Sequence, residues 1–265
     1  MTTTGSFIWY ELMTRDAVAA AKFYGAVVGW KIPDRPDTPP GAPEYRMIGR
    51  SDGGNAGGVL TLTPDMLQHG AHPTWLGYLH VADVDATAAA VIADGGRVLM
   101  PKTVLAVGSI AMLADPMGAP FYVMAPIPPP DKPNAKSDVF DVAAIQRVRW
   151  NELASADLAR AKPFYAKHFG FEFNEAMPMG AMGDYCFIDH AGVRLGGMMQ
   201  KAPQSPMGAW LFYFGVPSVA AAKAAIEKGG GKIMVGPMEV PSAQWIVVAT
   251  DPDGAAFGVV GPKGD

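Results

Sequence analysis

Two glutamates carry the most obvious potential for chemistry in this chain. Glu11 stands in Trp9-Tyr10-Glu11-Leu12 and Glu152 in Trp150-Asn151-Glu152-Leu153. On a strand, residues two apart share a face, so each carboxylate projects beside an indole. A carboxylate on an apolar face has a raised pKa unless it is paired, which suits proton transfer or recognition of a cationic or hydroxylated ligand. The two stretches are copies. Asp16 and Asp157, Tyr24 and Tyr165, and Gly29 and Gly170 recur at the offset of 141 that takes Trp9 to Trp150 and Glu11 to Glu152. Five residue types matching without a gap indicate an internal duplication. A duplicated structural role explains the recurrence too: both glutamates would then hydrogen-bond Tyr hydroxyls or backbone amides and fix the sheet. At the level of sequence both readings stand.

The elements that must position these residues follow in a repeated order. Phe7 to Met13 reads as a strand, and Asp16 caps a helix carrying Ala17, Ala20, Phe23, Tyr24 and Val27 at helical spacing. Gly29 ends that helix, and Trp30-Lys31-Ile32 is expected to begin a strand before the Pro-rich loop Pro33 to Pro43. Tyr45 to Ile48 and Gly57 to Thr63 are predicted strands around the turn Ser51-Asp52-Gly53-Gly54. The programme then repeats. Trp75 to Val81 is a strand, and an Ala-rich helix from Asp83 or Asp85 stops at Gly95-Gly96. Strands Arg97 to Met100, Ser109 to Ala114 and Pro120 to Ala125 follow, the last two joined by the tight turn Asp115-Pro116-Met117-Gly118.

After the prolines of 127–138 the order restarts. Tyr185 to Ile188 answers Tyr45 to Ile48, Gly196-Gly197 answers Gly57-Gly58, Trp210 answers Trp75, and Asp251-Pro252-Asp253-Gly254 answers the earlier Asp-Pro turn. The expected fold class is α+β, with four βαβββ modules in two homologous domains. These span 1–126 and 139–265, with 127–138 as a semi-rigid Pro-rich linker.

Composition narrows the function. The 265 residues are 49% hydrophobic and 17% charged, which describes a soluble globular chain with a sizeable core. A net charge of −4 argues against nucleic-acid binding, which shows a basic footprint. Cys186 stands alone, so no internal disulfide and no Cys-based metal cluster forms, in keeping with a reducing cytoplasm. It reads as a small buried apolar side chain. The N-terminal stretch has no signal-peptide pattern, and apolar runs stop well short of the roughly 20 residues of a membrane span.

The strand-initial pattern followed by Asp, Phe-Tyr and Gly-Trp or Gly-Phe, then three strands, an Asp-Val helix, Gly-Gly and the Asp-Pro hairpin, resembles the vicinal-oxygen-chelate superfamily. That superfamily includes glyoxalase I, bleomycin-resistance proteins and extradiol dioxygenases. The Trp-x-Glu-Leu start of both halves is similar to two-domain bacterial glyoxalase-like proteins. The resemblance implies curved mixed sheets around concave cavities. It also implies divalent-metal ligands at positions that fall here on Trp9, Trp150, Leu76, Leu211, Tyr122 and Gly258, none of which is an ordinary ligand. Between Gly53 and Pro64, and between Ala191 and Pro206, there is no Asp, Glu or His. The expectation is therefore no superfamily metal and no other cofactor.

With Trp9 at the ligand position, the resemblance turns Trp9, Glu11, Trp150 and Glu152 into the cavities, with Tyr78, His80, Tyr122 and Tyr213. Glu11, Glu152 and His80 are the candidate catalytic groups, with Tyr78, Tyr213 or His80 as hydrogen-bond partner of the base. Trp9, Tyr78, Tyr122, Trp150 and Tyr213 are candidate ligand contacts, although aromatics at module starts also serve as core. His80 has Gly215 as its counterpart and is the best single titrating candidate, or else a hydrogen-bonded bystander. His69, His72, His168 and His190 read as surface groups, and Arg194 as an exposed side chain or an anion contact.

The expected function is binding of a small organic molecule by a cytoplasmic monomer or homodimer without nucleic-acid or membrane partners. As an enzyme it would be a metal-independent lyase, isomerase or hydroxylase-like protein. The alternative is non-catalytic sequestration of the kind bleomycin-resistance proteins perform.

Overall fold

A computed structural model describes residues 3–36, 38–39, 41–133, 135–205 and 207–265. Asp37 and Pro40 of the Pro-rich loop, Asn134 of the linker, Met1, Thr2 and Pro206 lie outside the described residues. The first half runs β1 (Phe7–Thr14), α1 (Ala17–Val27), β2 (Tyr45–Gly49), β3 (Asn55–Thr61), α2 (Pro64–Gln68), β4 (Thr74–His80), α3 (Val84–Ala93), β5 (Arg97–Leu105), β6 (Gly108–Ala114) and β7 (Pro120–Pro126). The second runs β8 (Val148–Ser155), α4 (Leu158–Phe169), β9 (Ala176–Pro178), a 3-10 turn (Gly180–Met182), β10 (Asp184–His190), β11 (Val193–Gln200), β12 (Ala209–Gly215), α5 (Val219–Lys228), β13 (Lys232–Val240), β14 (Gln244–Thr250) and β15 (Ala256–Gly261). The fold class is α+β, as the residue pattern indicates. No helix among the described residues is long and apolar enough to cross a membrane.

Local chemistry sets the helix starts. Asp16 accepts from the amides of Val18 and Ala19, Asp83 from Ala86, Asp157 from Arg160, and Ser218 from Ala221 through its hydroxyl. One expected element is much reduced. Trp30-Lys31-Ile32 contributes a single bridge, Lys31 with Gly49, because Pro33 follows and has no N–H to extend a ladder.

The seven-stranded sheet has the order β2-β3-β1-β4-β7-β6-β5, and the eight-stranded sheet the order β13-β14-β15-β12-β8-β11-β10-β9. Both are mixed. β1 pairs β3 in parallel with Glu11 opposite Gly58, and β8 pairs β11 in parallel with Glu152 opposite Gly197. β4 and β7, and β12 and β15, are also parallel, whereas the hairpins are antiparallel.

Packing divides the chain differently from the sheets. One compact unit contains 1–8, 76–138 and 150–210, and the other 9–75, 139–149 and 211–265. Each unit therefore draws on both halves of the duplication. In the second unit, Tyr24 on α1 donates its hydroxyl to Asp251 Oδ2 at 3.0 Å and accepts from Trp75 Nε1 at 2.8 Å. Thr14 Oγ1 and the Arg15 amide donate to the next hairpin carboxylate, Asp253, at 2.8 and 2.7 Å. Around Tyr24 lie Phe23, Trp30, Phe214 and Phe257.

The first unit repeats the motif. Tyr165 on α4 donates to Asp115 Oδ2 at 3.1 Å and accepts from Trp210 Nε1 at 3.2 Å. Each aspartate also holds its own turn: Asp115 accepts the amides of Met117 and Ala119, and Asp251 those of Asp253, Gly254 and Ala255. Burial pushes both carboxyls above their usual range, against the lowering effect of those amides and the tyrosine hydroxyl. The two phenols are pushed well up, first by burial and then by the neighbouring aspartate.

The segment 139–149 belongs to the second unit and 127–138 to the first. Gln146 takes a left-handed φ of 62° and is buried. Its carbonyl accepts from Trp30 Nε1 at 2.9 Å, and its Oε1 accepts from the Ser51 amide and hydroxyl, each at 2.8 Å. Its Nε2 donates to the Gly29 carbonyl at 2.7 Å.

Removing either tyrosine hydroxyl leaves a buried indole N–H and a buried carboxylate short of a partner. Tyr24→Phe and Tyr165→Phe should each lower unfolding free energy by about 1–3 kcal/mol, read by urea denaturation. The raised carboxyl pKa values set a pH dependence as well. Their contribution to stability is complete below the unfolded value near 3.8 and is lost as pH rises through the folded values. Wild type should therefore gain stability relative to Asp115→Asn or Asp251→Asn as pH is lowered from neutral to below that value, in parallel denaturation series.

Candidate functional site

In the first unit, β8 presents Trp150 and Glu152 on one face, two residues apart. Opposite Glu152 stands Gly197 of β11. A Cβ there would lie 2.0 Å from Tyr185 Cε1, so the ring of Tyr185, carried by β10, lies on the bare glycine backbone. In that position Tyr185 donates its hydroxyl to Glu152 Oε2 at 2.8 Å and accepts from Trp150 Nε1 at 2.7 Å. The hydrogen bonds run in one direction, from indole to phenol to carboxylate.

Phe187, two residues on from Tyr185, meets Trp150 edge to face with centroids 6.2 Å apart. The Arg194 guanidinium lies 4.4 Å from the Phe187 centroid. It is held there by Asp189 at 2.9 Å and Glu175 at 3.1 Å, and its charge is thereby stabilised. Arg194 is thus already engaged with two carboxylates. Trp150, Glu152, Phe187 and Arg194 are all half-buried.

The second unit carries the other copy. Trp9 Nε1 donates to the Tyr45 hydroxyl at 2.8 Å, and a Cβ at Gly58, which faces Glu11, would lie 2.0 Å from that hydroxyl. Glu11 itself is only 3% exposed. Met47 occupies the place of Phe187, two residues on from its tyrosine.

The remaining candidates sort by unit. In the first, Tyr78 and Tyr122 face each other across β4 and β7 and stack at 4.2 Å with an interplanar angle of 14°. His80 follows on β4 beside Met124 of β7. Burial pushes its imidazole below the usual value, with the Thr3 backbone acting in the opposite direction. In the second unit, Tyr213 covers Gly258, where a Cβ would meet its ring at 2.3 Å. Two surface clefts, of about 410 and 200 Å³, lie beside α1: one reaches Lys22, Trp30 and Lys31, the other Asp16, Asp251 and Asp253.

Sequence reasoning uses Tyr45 and Tyr185 only as markers of the repeat. The signal for their role is the glycine pair facing each Trp-x-Glu strand, which leaves room for a ring. Two histidines expected at the surface are enclosed instead. His190 is buried with Nδ1 by the Gly170 carbonyl, and His168 is half-buried with Nε2 2.7 Å from Asp94.

Side chains at the superfamily's metal positions do not supply its donors. Two are indoles, two are leucines, and the last pair is a stacked tyrosine and a glycine. Among the described residues no three His, Cys, Asp or Glu side chains gather as a metal-holding group. The residues present do not fit that metal.

The sequence profile of the Glyoxalase/Bleomycin resistance protein/Dioxygenase superfamily matches residues 6–122 and again 145–259. CFP32 of Mycobacterium tuberculosis, whose name places it with the glyoxylases, is 29% identical over 255 residues, covering 96% of this chain and 94% of that one. The anthracycline biosynthesis protein DauV of a Streptomyces species is 29% identical over 275 residues, covering 97% and 93%. Among solved structures, the Mn(II)-bound glyoxalase from Novosphingobium aromaticivorans superposes with a TM-score of 0.63 at 17% identity, covering 100% of this chain and 84% of that one. The 2,2',3-trihydroxybiphenyl 1,2-dioxygenase from Sphingomonas wittichii gives 0.64 at 14% identity, with 97% and 90% covered. At these identities the superpositions establish the fold alone.

Gly197→Ala should displace the Tyr185 ring and break both bonds of its hydroxyl. We expect a loss of about 1–3 kcal/mol in denaturant unfolding and a change in tryptophan emission as Trp150 loses its acceptor.

Proposed function

This chain belongs to the Glyoxalase/Bleomycin resistance protein/Dioxygenase superfamily, and on that premise we propose that it binds a small, flat, hydroxylated organic molecule on a Trp-x-Glu face. The observation that carries the reading is the carboxylate of Glu152, positioned by the Tyr185 hydroxyl at 2.8 Å beside a half-buried indole. A fixed carboxylate accepts hydroxyl or ammonium donors with charge-assisted strength, and an indole offers a flat surface for an aromatic ring. Glu11 and the stacked Tyr78–Tyr122 pair are buried, whereas Glu152 and Trp150 are only half-buried. The relationship to an anthracycline biosynthesis protein favours a polycyclic aromatic ligand.

A second reading makes Glu152 a general base for a lyase- or isomerase-type proton transfer. It is favoured by Glu152 being only half-buried, which leaves it within reach of a substrate proton. Under this reading Tyr185 holds the carboxylate in place during the transfer, and His80 is a second titrating candidate. Under the binding reading the ligand is held unchanged, for sequestration or delivery.

Titration of the purified protein with an anthracycline, followed by tryptophan fluorescence, should give saturable quenching. Mass spectrometry of the ligand after prolonged incubation should show its mass and isomer composition unchanged. Absence of saturable quenching overturns the binding reading. A new product whose formation is lost in Glu152→Gln establishes the catalytic one.

A further inference from the structure

We propose that the two Trp-x-Glu copies have diverged, so that the second-half face alone takes ligand, and that its ligand is a planar aromatic molecule carrying a positive charge. This inference rests on the ligand-binding reading above. It adds which copy works, what charge the ligand bears and which residue sets the preference.

Accessibility separates the copies first. A ligand donor must touch the carboxylate, and Glu11 is 3% exposed whereas Glu152 is half-buried. The aromatic surface separates them again. Phe187 extends the Trp150 surface edge to face, and the equivalent residue in the first half is Met47, a flexible thioether with no π-face.

Charge gives the third distinction. Residues 171–200, which supply β9, β10 and β11, contain Glu172, Glu175, Asp184 and Asp189 against the single basic residue Arg194. The equivalent first-half stretch, 31–61, offsets its acids with Lys31, Arg35, Arg46 and Arg50. Counted with Glu152, the second-half stretch carries a net negative charge, which attracts cations and repels anions. Arg194 provides a precedent within the fold: its guanidinium already lies over Phe187 at 4.4 Å, while Asp189 and Glu175 take its charge. A cationic ligand would repeat that arrangement one ring further along, with its ring system on Trp150 and its ammonium hydrogen at Glu152. Phe187 is the specificity-determining residue in this account, since it builds the surface that the first half lacks.

The test pairs acridine orange, a planar aromatic cation, with anthraquinone sulfonate, a planar aromatic anion, each titrated against the full chain by calorimetry. The expected result is one site per chain for the cation, affinity that falls as salt is raised, and binding of the anion at least about tenfold weaker. Glu152→Gln, which keeps an acceptor for Tyr185, should weaken the cation by about tenfold, and Glu11→Gln should leave it within about twofold. Phe187→Met, which copies the first-half residue, should weaken it several-fold with an unchanged unfolding midpoint. Two equivalent sites, equal affinity for the anion, or loss of binding in Glu11→Gln rather than Glu152→Gln overturns the inference and leaves the binding reading intact. Failure of both probes and of the anthracycline to bind overturns the binding reading itself.

Discussion

A buried phenol must satisfy a donor and an acceptor without help from water, and this constraint organises the molecule. Tyr24 and Tyr165 each receive an indole N–H and give their own hydrogen to a buried aspartate. The aspartate cannot move, because the amides of its own Asp-Pro turn already surround it. The helix that carries the tyrosine is therefore tied to one hairpin. In each compact unit that hairpin comes from the opposite half of the duplicated chain. Hydrogen bonds of this kind are modest in net energy when made and costly when broken, so their main effect is on which helix meets which hairpin. Apolar rings close around both sites and exclude the water that would otherwise compete.

The same requirement shapes the candidate site. Tyr185 fits on its sheet only because Gly197 lacks a side chain, and its hydroxyl then finds the two groups that the duplicated Trp-x-Glu stretch provides. Tyrosine rings also lie over Gly58, Gly197 and Gly258, and Tyr78 stacks on Tyr122.

Much of the fold was legible because its signals are local. The caps at Asp16, Asp83 and Asp157 rest on side chains reaching amides a turn away, and the Asp-Pro-x-Gly turns on backbone preference. The edge strands β5 and β13 were harder to delimit, since their side chains are exposed along nearly the whole length and show no alternation of burial. The strand expected at Trp30 to Ile32 shrank to one bridge because Pro33 follows and cannot extend a ladder. In the site, Trp150 and Glu152 were visible as a pair from their spacing alone. Tyr185 was not, because its contact with them depends on strand register and on the space above a glycine 45 positions away from Glu152 (152 to 197).

The amino-acid sequence by itself determined the duplication, the module order, the α+β class and the superfamily, since each is written in spacing and in short-range preference. It also showed that the stretches 53–64 and 191–206 hold no Asp, Glu or His, because residue types are read directly. Only the tertiary structure decided which halves of the chain pack together, that Gln146 binds the first module's helix end, and that Glu11 is closed off while Glu152 is reachable. These outcomes depend on the satisfaction of buried donors and acceptors far apart in the chain. No local preference encodes such a balance; it exists only once the partners have been brought within hydrogen-bonding distance.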